Sequence, residues 1–588
     1  MSAASLGYQD FIKEVFLQPI RSVLAIDDEY PTLDKLLGSS PEDLGNLPQG
    51  ENWERLKRLT KFCRDQDREL LLDVHDGTHG NLAEDLPLKT LRQCDWVVLD
   101  YQLNGAGGDG QRCCQILRAL ADGEHFNLVS LYTQKPIQTV FREIIANFSA
   151  PLSIEELGAG NLDELIEDWE DEDPEIRQKL IESIEGSTYF RLKQEGYWEH
   201  PLTSKTELLS KFTSLWTEAS PETKKKTTAD NLLKAVGRAY EQEIGISGYV
   251  GPPISVHADF EATDKWICVG SLFISLVPKT EPPDQLLGHL LACLTAWNPP
   301  PNRLALAKLR AVSDAIGFKA DSAIMEEKNV QAYWLKSLLE SDDWERRDHI
   351  ESLVNRQTEL LMEHLRSAVV TFVKKTVDTA SDETAKDLIV KFFGADADPS
   401  KGKIGHNAVV SNRSISGSNL IPGHIFQIPA EGESEIESWI CLSPACDLIP
   451  FRNNARALKK KLGNWLPFTA VRLHHVTEKV AIKHASKGHV VFLKEGTSVS
   501  PYYSIFENGD SSKNPEWEEF FASDEGVLKL PEEPELRIAR LNGIVAEEDR
   551  PSFKIVTTKI VGQLRAEYAA NLTQKFTSHL SRIGLEYC

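Results

Sequence analysis

Cysteine and methionine are scarce in this chain: nine cysteines and three methionines stand among 588 residues. The cysteines are odd in number and form no tight framework. A disulfide-stapled secreted module is therefore excluded, and a reducing compartment is the expected home. Positive charge is also short, with 65 Lys and Arg against 89 Asp and Glu, a formal net charge of −24. That excludes a surface given over wholly to nucleic acid or anionic membrane and leaves only a local basic site open. Long apolar runs are missing too. The longest, Trp266 to Val277, is too short to cross a bilayer and reads as a buried strand or helix. The opening MSAASLGYQDF has neither the basic end nor the apolar stretch of a secretory signal, so a cytoplasmic location and no membrane partner are expected. No GxxxxGK[ST] loop occurs, so nucleotide hydrolysis is not indicated and the chain is not expected to be an enzyme. The carboxyl-terminal half shows no helix-turn-helix pattern, and nucleic acid is not supported as a partner.

What is present has the composition of a folded protein: 41% hydrophobic and 26% charged residues, long enough for about four domains. An amino-terminal helix is expected over 1–17. From 18 to 180, short apolar runs alternate with helical segments. Ser22–Ile26, Leu70–Val74, Trp96–Leu99 and Leu128–Tyr132 are continuous enough to be strands covered on both faces, which predicts a parallel α/β sheet. Gln111 to Leu120 carries Cys114, Leu117 and Leu120 on one helical face. Leu162, Leu165, Ile166 and Trp169 follow a helical period until Pro174, and nine acids fall between Asp163 and Glu175. Their face reads as solvated surface rather than a docking site, and so does the Lys224–Lys226 run. Residues 181–394 are expected to be mainly helical, with long amphipathic helices near 302–316 and 350–377. Gly, Ser, Asp and Asn gather at 395–418, which reads as a linker or mobile loop. From 419 to 588 short strands precede an amphipathic helix carrying Leu564, Tyr568, Leu572, Phe576, Leu580 and Ile583, an α+β region.

In parallel α/β sheets the functional site lies beyond the carboxyl ends of the strands. That placement brings Asp27 and Asp28 near Asp100, with Thr133 alongside. Three converging carboxylates repel one another unless a cation intervenes, and a hard divalent ion such as Mg²⁺ is the expected solution. One carboxylate could then attack a phosphoryl group while a hydroxyl holds a phosphoryl oxygen.

Val23–Glu29 (VLAIDDE), Val97–Leu103 (VVLDYQL) with Gly108-Asp-Gly110, and Leu128–Thr133 (LVSLYT) together resemble the receiver domain of response regulators. The resemblance implies a flavodoxin-like, doubly wound sheet over 18–180. It implies that Asp27 and Asp28 hold Mg²⁺, that Asp100 is the phosphoacceptor, that Gln102 lends the metal its backbone carbonyl, and that Thr133 contacts the phosphoryl group. Receivers of this divergent, large type are similar to those that accompany histidine kinases or GHKL-type ATPases in bacterial conflict systems. The implied role is a signalling or adaptor protein of two-component type, its acidic site controlling assembly with partner proteins in anti-phage defence, with oligomerisation open.

Three departures stand beside the resemblance. The family's lysine ends the fifth strand a short way after the Thr, yet none occurs between Lys135 and Lys179. A site without that lysine is therefore expected. Asp28 and Asp100 lie 72 positions apart, longer than usual, which suggests an insertion near 38–66. Asn104–Gly108 replaces the usual short loop after the phosphoacceptor. Two readings stay open: a phosphorylatable receiver, and an inactive pseudo-receiver acting as scaffold for a GHKL-type ATPase or kinase. A dehalogenase-type hydrolase would want an acid where Gln102 stands. A weaker third reading places an enzyme in the carboxyl-terminal region, near Cys446, Asp447 and His474. Cys441 and Cys446 with His474 and His475 could make a zinc site, but no second Cys pair follows, and two buried thiols are the simpler reading. His484 and His489 read as surface residues.

Overall fold

In the computed structural model the described residues are 7–32, 50–77, 91, 93–103, 110–123, 125–149, 161–194, 209–243, 256–260, 262–316, 327–341, 343–380, 384–394, 397–429, 436–450, 461–495, 498–528, 534–545 and 550–580. The chain divides into two compact units: Met1–Ala320 with Thr358–Phe392, and Asp321–Gln357 with Phe393–Cys588.

The first unit is built on seven strands: β1 (Ser22–Ile26), β2 (Leu71–His75), β3 (Trp96–Asp100), β4 (Asn127–Thr133), β5 (Val256–Ala258), β6 (Trp266–Val269) and β7 (Leu272–Pro278). They lie in the order β2-β1-β3-β4-β7-β6-β5. The pairs from β2 to β7 are parallel, and β6 and β5 add an antiparallel edge. Every residue of β3 and β4 is buried, as their unbroken apolar runs require of strands covered on both faces. At the edge, β2 is half exposed, and its Leu71 is 75% accessible.

Successive side chains along each strand enter opposite cores. Leu24, Ile26, Val97, Leu99, Val129 and Leu131 join one. Val23, Ala25, Trp96, Val98, Leu128 and Tyr132 join the other. Helix α1 (Glu51–Cys63) lies between β1 and β2, inside the stretch 38–66 expected to hold an insertion, of which residues 38–49 lie outside the described residues. Helices α2 (Gln111–Ala121) and α3 (Ile137–Phe148) follow β3 and β4 and supply Cys113, Ile116, Leu117, Phe141 and Ile144 to the first core.

Between α3 and β5 lies a helical lobe: α4 (Leu162–Glu170), α5 (Ile176–Ile184), α6 (Ser210–Glu218), α7 (Pro221–Lys226) and α8 (Ala229–Glu243). Leu162, Ile166 and Trp169 of α4 are buried. Part of its acidic face is answered within the lobe, where Arg177 meets Asp163 at 3.0 Å and Lys226 pairs with Asp168. Lobe and sheet share one continuous core. Beyond the sheet, α9 (Leu286–Trp297), α10 (Pro301–Ile316) and α11 (Asp343–Ala380) follow. Phe372 of α11 meets Phe11 edge-on at 5.6 Å in the second core.

The stretch 181–394 is mainly helical, and β5, β6 and β7 also lie inside it and complete the amino-terminal sheet. The apolar run Trp266–Val277 is two antiparallel strands joined at Gly270, whose φ of +55° suits a tight reversal. Apolar period alone does not separate such a hairpin from one buried helix.

The second unit carries α12 (Gly402–Ser411) and nine strands: β8 (Asn412–Arg413), β9 (His424–Pro429), β10 (Ile436–Cys441), β11 (Leu466–Val476), β12 (Val490–Glu495), β13 (Ser498–Ser504), β14 (Trp517–Ala522), β15 (Glu535–Val545) and β16 (Arg550–Leu564). Helix α13 (Ala566–Leu580) follows. Antiparallel pairing runs β10-β9-β16-β15-β14-β11 and returns from β11 to β10, closing a barrel. Phe426, Trp439, Phe468 and Phe520 fill its interior, and closure leaves none of these six strands with an open edge along the paired segments. Leu572 and Phe576 of α13 pack on the outer wall against Leu473 and Val491. The stretch 395–418, expected to be a linker, contains α12, and Ala408 on it is fully buried. Its small and polar residues mark a helix that packs closely, not a loop.

Candidate functional site

The parallel strands deliver their carboxyl ends to one edge, and each site residue sits there because its strand stops there. Asp27 and Asp28 follow β1, Asp100 is the last residue of β3, and Thr133 is the last of β4. One oxygen from each of Asp27, Asp28 and Asp100 lies within 4.8 Å of the others, and no other group of three His, Cys or acidic residues among the described residues is so placed. Asp27 and Asp100 are buried, and Asp28 is partly covered. Backbone amides hold the carboxylates in place: Glu29 N donates to Asp27 Oδ1 at 3.0 Å, and Gln102 N donates to Asp100 Oδ1 at 3.2 Å. Thr133 is fully buried, and its Oγ1 accepts from Lys135 N at 3.0 Å.

A lysine is present in the site, contrary to the expectation. Lys279 follows β7 directly, and its Nζ lies 3.1 Å from Asp27 Oδ2 and 2.8 Å from Asp100 Oδ2. All three side chains are at most 5% accessible. The lysine was missed because it lies 146 positions after Thr133, beyond the helical lobe, rather than a short way downstream. The lobe interrupts the sequence between β4 and β7 but not the sheet, since Asn127–Thr133 pairs residue for residue with Leu272–Pro278. A readable signal existed: the apolar run ends in Pro278-Lys279.

Lys279 is fixed at the backbone from both sides. Its N–H donates to Thr133 O at 2.7 Å, and its carbonyl accepts from Arg55 Nη2 of α1 at 3.3 Å. Burial pushes the Asp27 carboxyl up to about 6. The Lys279 ammonium and the Glu29 amide pull against that rise, and the Asp100 charge adds to it. Burial also works against the charge on Lys279, but Asp27 and Asp100 together outweigh it and hold its pKa above the usual lysine value. Three carboxylates and one ammonium leave the cluster two charges negative when all are ionised, the deficit that a divalent cation fills. The donor set is all oxygen, as Mg²⁺ prefers.

Beside the cluster, Tyr101 donates its hydroxyl hydrogen to Glu143 of α3, and Lys135 Nζ stands 5.1 Å from the Tyr101 ring centroid. The ring closes over Gly110, where an added Cβ would lie 2.2 Å from it. The φ of +75° there also favours glycine. Residues 104–109, which hold the rest of the Gly-Asp-Gly motif, lie outside the described residues.

The second unit does not assemble the zinc ligands considered. Cys441 is buried in the barrel wall, Cys446 is exposed rather than buried, and His474 Nε2 is 3.9 Å from Glu516. A cleft there of about 400 Å³ takes in Glu437, Ser438, Arg472, His474, His475 and Tyr503, but neither Cys446 nor Asp447 lines it. His489 is 2% accessible rather than a surface residue; it packs edge-on against Phe506.

No curated protein and no solved structure matches the chain. Residues 19–183 match the response receiver domain family, a span that ends before β7 begins. With the order β2-β1-β3-β4-β7 and the acids at its strand ends, the amino-terminal part of this chain is a response receiver domain with a flavodoxin-like fold, which gives the chain a signalling or adaptor role.

Proposed function

We propose that the receiver site is live: Asp27, Asp28 and Asp100, with the Gln102 carbonyl, hold Mg²⁺, and Asp100 accepts a phosphoryl group. The observation that carries this reading is Lys279, buried between Asp27 and Asp100 in a cluster that otherwise lacks a cation. Mg²⁺, when bound, supplies the charge neutralisation that lets a phosphoryl group approach three acids. The chain's own groups do the rest. An Asp100 carboxylate oxygen attacks phosphorus, the P–O bond forms as the bond to the donor's leaving group breaks, and the leaving group departs with the bonding electrons. Lys279 releases part of its hold on Asp100 and pairs with a phosphoryl oxygen, and the Thr133 hydroxyl donates to another. The buried strand ends keep bulk water from the acyl phosphate.

The output of this site is control of assembly with a protein partner. A histidine kinase or GHKL-type ATPase is the proposed partner and phosphoryl source, in a bacterial anti-phage setting. The pseudo-receiver reading rested on a missing lysine, and Lys279 removes that ground. The test is incubation with acetyl phosphate and Mg²⁺, read by intact-mass spectrometry, with beryllofluoride binding measured alongside. A gain of one phosphoryl group that is lost in Asp100→Asn supports the reading. A wild-type protein that neither gains mass nor binds beryllofluoride refutes it.

A further inference from the structure

At the opposite end of the sheet, where β3, β4 and β7 begin, the first unit carries a half-open cavity of about 310 Å³ that the receiver site does not use. The seven residues of β4 separate it from Thr133 by about 20 Å. Its lining is mixed: Phe16, Ile20, Phe126, Leu128 and Leu306 form an apolar part, and Ser271 and charged side chains supply the rest. Leu306 stands at the rim and is 62% accessible, a large aliphatic side chain with no cover.

Three charged groups face this space: Asp95, Arg303 and Arg310. Asp95 is committed, its Oδ2 accepting from Arg21 N at 2.9 Å, Ser22 N at 3.1 Å and Ser22 Oγ at 2.9 Å. Arg310 is committed too. It donates to Phe126 O at 2.5 Å and lies 3.9 Å from Asp95 and 3.8 Å from Asp314. Arg303 differs. No carboxylate of the described residues pairs with it, and its guanidinium lies 5.0 Å from the Phe126 ring and 5.7 Å from the Trp297 ring. The lining thus carries one net positive charge, on a planar group already oriented by two aromatic faces, above an apolar floor. Pockets of this size and mix hold small molecules, with one or two polar groups fixing orientation. A guanidinium fork pairs best with a planar oxyanion.

We propose that this cavity binds a small aromatic monocarboxylate, with the ring system against the wall formed by the Phe16–Phe126 pair and Leu306 and the carboxylate on Arg303. The inference does not depend on the receiver site being live. It is tested on the full chain by calorimetric titration with 1-naphthoate and, as a neutral counterpart, 1-naphthylmethanol. Wild type is expected to bind one naphthoate per chain. Arg303→Gln should weaken naphthoate by about tenfold or more, the worth of one charge-assisted pair, and leave naphthylmethanol unchanged. Ala307→Phe, which fills the cavity from α10, should abolish both. The proposal is overturned by an absence of saturable naphthoate binding in wild type, by equal affinity in wild type and Arg303→Gln, or by binding that survives Ala307→Phe.

Discussion

Replacing Lys279 with methionine keeps most of the side chain's volume and removes the charge that Asp27 and Asp100 share. Removing one partner of a buried ion pair costs about 3–5 kcal/mol. Here the lower end applies, because Asp27 has a way out. With its carboxyl raised from 3.8 to about 6, keeping it ionised at neutral pH already costs the folded protein about 3 kcal/mol. Without the lysine it can take up a proton instead. At pH 7 that costs about 4 kcal/mol, so Asp27 adds only about 1 kcal/mol, and most of the new penalty falls on Asp100, 2.8 Å from the lost ammonium. A total near 3 kcal/mol should lower the melting temperature of the first unit by about 4 °C in metal-free buffer, given the unfolding entropy of a unit of this size. Mg²⁺ answers the same charges, so at about one hundred times its Kd it should return about 2.7 kcal/mol to the variant. The deficit should also shrink as the pH is lowered towards 4. A raised carboxyl stabilises the fold below its unfolded pKa, and that stability is lost as pH rises through the folded value. Scanning fluorimetry with and without Mg²⁺, at pH 7 and pH 5, measures all three effects. A variant that melts within about 1 °C of wild type in metal-free buffer would show that the lysine does not neutralise this cluster.

The same electrostatics predict that Asp27→Asn makes the metal-free protein more stable, by up to about 3 kcal/mol at pH 7, and removes its stabilisation by Mg²⁺; melting curves across a Mg²⁺ titration check both. In the barrel, burial holds His424 neutral down to about 4, and it accepts from Ile421 N at 3.3 Å through Nδ1. A histidine lowered in the fold loses stability as pH falls from its unfolded value towards its folded one. Hydrogen exchange in β9 should thus report about 2 kcal/mol less protection at pH 5 than at pH 7, and His424→Gln should remove that share. Gly110→Ala should displace the Tyr101 ring and strain a left-handed backbone, at a cost of about 1–3 kcal/mol. It should also slow phosphorylation by acetyl phosphate, because Tyr101 adjoins Asp100.

The parallel sheet was legible wherever burial on both faces leaves an unbroken apolar run, as in β1, β3 and β4. The carboxylates were legible because a strand end followed by acids is a local signal. Lys279 was not, because its position depends on pairing between residues 146 apart, and only the register of Leu272–Pro278 on Asn127–Thr133 reveals it. The barrel was hidden for a related reason. Its short strands are visible singly, but closure of β10 onto β11 is a long-range pairing with no local mark. Composition misled at 402–411, where Gly402, Gly405, Asn407 and Ser411 read as loop while Ala408 packs inside. His489 misled in the same way. Its Lys-Gly neighbours mark a turn, and the turn delivers the ring inward against Phe506.

The separation of Thr133 from Lys279 is less costly than it looks. Each doubling of an unstructured loop adds only about 0.6 kcal/mol of closure entropy, and this segment is not unstructured. Helices α4 to α8 bury Leu162, Ile166, Leu180, Ile184, Leu232 and Val236 in the same core that holds the sheet's Val129 and Leu131. Packing of the lobe on the sheet's core keeps the segment compact, and the full β4–β7 register closes the gap. The backbone bond from Lys279 N to Thr133 O then ties the end of β4, ahead of the lobe, to the end of β7, beyond it, at the site itself. On the proposed reading these two residues are the ones that meet the phosphoryl oxygens. The strands that flank the lobe within the sheet thus both end at the site, whereas a lobe inserted at a loop remote from the strand ends would lack that connection. Arg55, reaching the Lys279 carbonyl from α1, ties the helix that follows Asp27 and Asp28 to the same junction. The acids, the lysine and the ends of β4 and β7 are therefore joined through the Lys279 ion pairs, one backbone hydrogen bond and the Arg55 contact to the Lys279 carbonyl.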